Sequence, residues 1–144
     1  MIYVSYDFLC TIDGTLHNRT MGKTFRCFCR DVYWTLFHRL MYWADGYNHS
    51  RIDRAAMDGS NQTTIITGLA EVEAITIDYN ENRLYYSARF YHIYSSDLLG
   101  NDIRHLLHDE GKYVNSIAVD ENYVYWSSSW YDPLSSSNPG KIGM

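Results

Sequence analysis

Met41-Tyr42-Trp43-Ala44-Asp45 is an aromatic pair followed by a small residue and an acid, and the step returns twice along the chain. It comes back as Leu84-Tyr85-Tyr86-Ser87-Ala88 and as Val124-Tyr125-Trp126-Ser127-Ser128. Trp43 and Tyr86 are 43 positions apart, and Tyr86 and Trp126 are 40 apart, spacings that fit one four-stranded propeller blade per repeat. The flanks keep the same register. Gly59 and Gly100 lie 41 apart, as do Ile52 and Ile93, so a turn glycine and an apolar anchor travel with the motif.

Outward from the motif, Asp58-Gly59 separates two alternating runs and signals a hairpin, because glycine accepts the positive φ that such turns need. Gly100 holds the matching place one repeat later. Ala74-Ile75-Thr76-Ile77-Asp78 and Ser116-Ile117-Ala118-Val119-Asp120 each close an apolar stretch on an acid just before a polar turn and the next motif. Asp78 and Asp120 therefore read as turn-forming acids, the alternative being carboxylates lining a channel. The spans 74–78, 83–89, 92–99 and 102–108 predict four consecutive antiparallel strands, one whole blade.

Upstream, Val32 to His38 fills the place of a strand but lacks the closing acid. Downstream, Tyr131-Asp132-Pro133, the run Ser135-Ser136-Ser137 and Asn138-Pro139-Gly140 read as loop. The expectation is an all-β chain: a partial propeller of about two and a half four-stranded antiparallel blades over 41–144, with repeats starting near 41, 84 and 124. Residues 1–40 read as short strands and irregular chain. Two and a half blades leave an apolar face open at each end, a loss of several kcal/mol at about 25 cal/mol per Å². The chain thus reads as a piece of a larger propeller.

With 14 tyrosines, 16% aromatic residues and 46% hydrophobic residues, the composition suits pleated, half-buried surfaces and supplies a packed core. No run approaches 18 apolar residues, so no membrane-spanning helix is expected, and Met1 to Asp7 has neither the basic leader nor the apolar stretch of a secretory signal. Residues 1–40 hold five basic side chains against three acids, whereas the repeated part holds seven against fourteen. An acidic repeat region opposes phosphate backbones and anionic membranes, so neither nucleic acid nor direct membrane contact is expected. No phosphate-binding glycine loop, nucleophile elbow or basic-aromatic stripe occurs; the expectation is no cofactor and no catalysis.

Cys10, Cys27 and Cys29 all precede the repeats, and their odd number argues against a complete disulfide framework. Cys27 and Cys29 are too close to bridge each other, which leaves Cys10 with Cys27 or with Cys29 in an oxidising compartment. Asn18-Arg19-Thr20, Asn48-His49-Ser50 and Asn61-Gln62-Thr63 are glycosylation sequons, two of them in loops after strands. On a regular strand the odd separation of His105 and His108 puts their rings on opposite faces, so they are not expected to share a metal ion. Together with His49 and His92 they read as surface histidines.

Tyr42-Trp43-Ala44-Asp45, with Ile52-Asp53-Arg54-Ala55-Ala56-Met57-Asp58-Gly59-Ser60 after it and Ile75-Thr76-Ile77-Asp78 opening the next repeat, resembles the YWTD (class B) repeats of the low-density-lipoprotein receptor family. The resemblance covers roughly 40–130. It implies a six-bladed β-propeller in a longer extracellular chain beside EGF-like modules. It further implies protein ligands of lipoprotein or growth-factor type, in endocytosis or signalling, on the extracellular side of a plasma-membrane receptor, with His49, His92, His105 and His108 as candidates for titration as endosomal pH falls. A secreted matrix protein similar to nidogen is the alternative, and a metal-dependent propeller hydrolase a third reading. By resemblance Asp45 inherits a hydrogen bond across the joint between blades, and Tyr42, Tyr85 and Tyr125 a packing role. The second copy lacks the tryptophan and the acid, and the third, around Trp126, lacks the acid. Thr24-Phe25-Arg26-Cys27-Phe28-Cys29 resembles part of an EGF-like module, which makes 1–40 a degenerate EGF-like remnant; the alternative takes Asp13-Gly14-Thr15 as another blade turn.

Overall fold

The computed structural model describes residues 3–4, 8–10, 15–18, 23–26, 29–35, 40–45, 50–89, 91–108, 112–130 and 141–143, with side chains described over 40–44, 50–89, 91–108 and 112–129. The described residues form strands and turns without a helix. The strand pairing is antiparallel throughout.

The best-defined sheet is the blade expected from the middle of the chain. β9 (Ile75–Asp78), β10 (Arg83–Ala88), β11 (His92–Asp97) and β12 (Arg104–His108) pair in chain order, within two residues of the predicted bounds. β9 is buried along its whole length and β12 is largely exposed, which makes β9 the inner strand and β12 the rim. The sheet before it contains β5 (Cys29–Thr35), β6 (Leu40–Asp45), β7 (Ser50–Ala56) and β8 (Thr63–Leu69). The sheet after it contains β13 (Lys112–Val119), β14 (Val124–Trp130) and β15 (Lys141–Gly143). β9 lies against β5 on one side and β13 on the other, so the inner strands of successive sheets are neighbours. This is a partial β-propeller.

The boundary at 40/41 falls inside a sheet, because β5 runs beside β6 from Cys29 opposite Asp45 to Thr35 opposite Leu40. A closing acid is not needed to seat β5, because the backbone pairing to β6 holds it. Residues 1–40, read as short strands and irregular chain, carry the short strands β1 (Tyr3–Val4), β2 (Phe8–Cys10), β3 (Thr15–Asn18) and β4 (Lys23–Arg26), a four-stranded meander in chain order. Cys10 stands opposite Leu16, and Asp13-Gly14 lies outside the described residues. That order is the one seen in the two sheets that follow. β5 completes the second sheet as four strands, and β15 gives the last sheet a third.

The joints between sheets are apolar. Tyr42, Ala44, Ile52 and Ile66 meet Ile75, Ile77, Leu84, Tyr86 and Ala88 in one core, with Val72 among them. Ala74, Tyr85 and Ile93 meet Val114 and Ile117 in the next, flanked by Val124 and Trp126. Adjacent residues on a strand point to opposite faces, so Tyr85 looks forward to the following sheet while Tyr86 looks back to the preceding one.

Candidate functional site

The motif residues occupy the joints. Tyr42 and Tyr86 are completely buried from opposite sides of the same core, and Tyr85 and Trp126 lie on opposite sides of the next. The Tyr42 hydroxyl donates to the Leu98 carbonyl oxygen at 3.3 Å, reaching from β6 into the turn after β11 of the neighbouring sheet. Burial raises the Tyr42 hydroxyl above its ordinary pKa and pushes that of Tyr86 up to about 12. Tyr86 Oη is buried without a hydrogen-bond partner. Trp43 is buried as well. Tyr125, which no described strand covers, instead donates its hydroxyl to Asp120 Oδ2 at 2.7 Å. That bond raises the Tyr125 pKa and lowers that of Asp120. The Asp45 side chain lies outside the described residues.

The acids singled out by position shape turns. Asp78 Oδ1 accepts from Asn80 N at 2.8 Å, and Asp120 Oδ1 accepts from Asn122 N and Tyr123 N at 2.8 Å each. Asp58 Oδ1 accepts from Ser60 N at 2.9 Å in a hairpin where Gly59 has φ 77°. The matching hairpin has Gly100 at φ 84° and is organised by Asp97, whose Oδ1 accepts from Leu99 N and Asn101 N. The backbone hydrogen bond from Asn101 is the first cause of the low Asp97 pKa. Asp97 escaped sequence reading because Ala56 stands at the equivalent place, 41 residues earlier. The side chains of Cys10, Cys27 and Cys29, and the sequon residue Asn48, lie outside the described residues, whereas Asn18 sits within β3 and Asn61 is exposed after the β7–β8 hairpin.

The histidines depart from expectation. His92 stands opposite His108 and Tyr94 opposite His105, because the register shifts between Ile93 and Tyr94 and leaves Leu106 as an extra residue in β12. A bulge of this kind reverses the strand's parity, so His105 and His108 come to the same face despite their odd separation. His92 Nδ1 lies 2.9 Å from His105 Nε2, and the His92 ring stacks on His108 at 4.4 Å between centroids. Tyr91 touches both His108 and Tyr113, and Tyr94 touches His92 and His105. His105 and His108 are exposed, and His92 is half-buried beneath them. The same shift recurs 41 residues earlier, where Ile65 is the extra residue between the pairs Ile52–Ile66 and Asp53–Thr64. The sequence signal was therefore present in the repeat, but only a paired strand reveals it.

Three histidines and three tyrosines thus gather where β11, β12 and the start of β13 meet. Such a surface can stack, and can donate and accept hydrogen bonds. Among the described residues, no group of three or more histidines, cysteines and acids is arranged to hold a metal ion. At the far end of β12, Asp102 receives Arg83 Nη1 at 2.8 Å and Arg104 Nη2 at 2.6 Å, bonds that lower its pKa, Arg83 first.

Residues 39–79 match the family model described as low-density lipoprotein receptor repeat class B. The chain carries a class B repeat. The vitellogenin receptor of Solenopsis invicta is 38% identical over 89 residues, which cover 60% of this chain and 5% of that protein. Low-density lipoprotein receptor-related protein 5 of Mus musculus is 35% identical over 78 residues, covering 54% and 5%. Protein cueball of Anopheles gambiae is 36% identical over 94 residues, covering 62% and 13%. The chain therefore spans between a twentieth and about an eighth of these relatives. A chain of the nidogen/laminin complex superposes with a TM-score of 0.65 at 19% identity, covering 94% of this chain and 59% of that one. The computationally designed Ika4 protein gives 0.63 at 12%, covering 99% and 88%. These two likenesses concern fold alone. The class B repeat, 39–79, takes in β6, β7 and β8 and then β9, so sequence repeat and sheet are out of phase by one strand. Among the described residues no helix is long and apolar enough to cross a membrane.

Proposed function

We propose that this chain is part of a non-enzymatic, extracellular protein-binding module in a receptor similar to low-density lipoprotein receptor-related proteins. The class B repeat at 39–79 carries the reading. The buried motif residues are spent on joints between sheets, which leaves exposed surface for partners. The aromatic-histidine cluster of Tyr91, His92, His105, His108 and Tyr113 is the patch that best suits a protein ligand, because aromatic side chains concentrate binding energy at interfaces. The relative named as a vitellogenin receptor supports a lipoprotein-type cargo, with a growth-factor-like protein as the other class; neighbouring blades and EGF-like modules of a longer parent would flank this part.

The fold likeness to a chain of the nidogen/laminin complex favours a second reading, a secreted matrix propeller. The two are separated by passing low-density lipoprotein, vitellogenin and laminin over the immobilised full chain. Saturable binding of a lipoprotein, weakened about tenfold or more by the double substitution His105→Ala and His108→Ala, is the expected result. Binding of laminin alone establishes the matrix reading. Turnover of aryl esters by the purified chain, lost with a chelator, overturns both in favour of a hydrolase.

A further inference from the structure

Three sequons stand in the sequence, and the structure treats them differently. Asn18 is paired on both sides within its sheet, opposite Phe8 and opposite Lys23. Asn48 lies outside the described residues. Asn61, Gln62 and Thr63 are all exposed, at the point where the β7–β8 hairpin opens into the rim strand. Asn61 has φ 55°, the left-handed conformation that asparagine tolerates in turns, and its neighbour at 62 is not proline.

We propose that Asn61 is a site of N-linked glycosylation, with Thr63 as the hydroxyl residue of the acceptor motif. The inference rests on the extracellular reading above. In the transfer, Asn61 Nδ2 forms a bond to the anomeric carbon of a lipid-linked oligosaccharide diphosphate. The bond from that carbon to the diphosphate oxygen breaks, the lipid diphosphate leaves, and the amide loses one proton. The hairpin supplies what the reaction needs, an exposed acceptor amide in the turn and an exposed hydroxyl on the first residue of β8.

The position also bears on where a partner docks. β7 and β11 are equivalent third strands, 41 residues apart, and run in the same sense from inner turn to hairpin. Asn61 follows the exit end of β7, whereas Tyr91, His92 and His108 stand at the entry end of β11. A glycan at Asn61 therefore covers the end of the propeller opposite the aromatic-histidine cluster. Protein ligands are left the uncovered end.

The test is to secrete the full chain from eukaryotic cells behind an added leader, then digest it with an amidase that cleaves between asparagine and the first sugar. Peptide mass spectrometry is expected to find Asn61 converted to aspartate. Asn61→Gln and Thr63→Ala are each expected to remove that signal, and Thr63→Ser to keep it. Secreted protein with Asn61 unmodified, whether or not Asn18 or Asn48 carries sugar, overturns the assignment. Because the leader imposes the secretory route, that failure is distinct from failure of the receptor reading, which is a glycosylated chain that binds no lipoprotein.

Discussion

His92 Nδ1 and His105 Nε2 lie 2.9 Å apart, within hydrogen-bonding distance, and the His92 ring stacks on that of His108. Burial, then His108, His105 and Arg89, hold the His92 pKa below its ordinary 6.5. A base with a lowered folded pKa stays neutral in the fold while the unfolded chain takes up its proton. Its contribution to stability is complete above about pH 6.5 and is lost as pH falls from there through the depressed value. The groups facing it are His108, His105 and Arg89, with Tyr94 at the edge. The urea midpoint is expected to be lower at about pH 5.5 than at about pH 7.5, and His105→Gln with His108→Gln to narrow the difference. An unchanged difference in the variant removes the cluster as its source.

Two buried tyrosines give opposite signs. Tyr42→Phe deletes the hydrogen bond to the Leu98 carbonyl and is expected to cost about 0.5–1.5 kcal/mol. Tyr86→Phe removes a buried hydroxyl that has no partner, so it is expected to be neutral or to stabilise by about 1 kcal/mol. Equilibrium unfolding of the two variants side by side decides; a loss in Tyr86→Phe as large as that in Tyr42→Phe contradicts the assignment.

Ser87 Oγ accepts two backbone hydrogen bonds, from Glu73 N at 3.1 Å and Ala74 N at 3.0 Å, and fastens the entry to β9 onto β10. Ser87→Ala leaves both N–H groups without this acceptor and is expected to cost about 2 kcal/mol or more. Hydrogen exchange at those two amides should accelerate well beyond that of Ile77, deep in the same sheet.

A Cβ at Gly100 would collide with the Ile65 carbonyl of the neighbouring sheet, in addition to the strain of φ 84°. Gly68 has a similar φ of 72° but nothing within 4 Å. Gly68→Ala should therefore cost about 1–2 kcal/mol from backbone conformation alone, and Gly100→Ala clearly more. Equal thermal shifts for the two would mean that the Gly100 hairpin does not rest on β8.

The blade formed by β9 to β12 was legible because spacing, alternation and turn chemistry agreed over two repeats. Asp78 and Asp120 announced their turns through the same agreement. What stayed hidden depended on pairing between strands. β5 lacks the acid that marks later inner strands, yet the ladder to β6 seats it. The face of His105 and His108 was misjudged because one inserted residue, Leu106, changes parity without changing composition. The Tyr42–Leu98 bond spans 56 positions, and nothing local in sequence pairs a tyrosine with a distant carbonyl.

The one-strand offset between repeat and sheet decides how the chain would bear load. A class B repeat ends in β9, which is zipped edgewise onto β10 of the next repeat from Ile75 to Asp78. Tension applied between two repeats therefore meets a ladder of hydrogen bonds as well as an apolar seam, like overlapping shingles nailed at each lap.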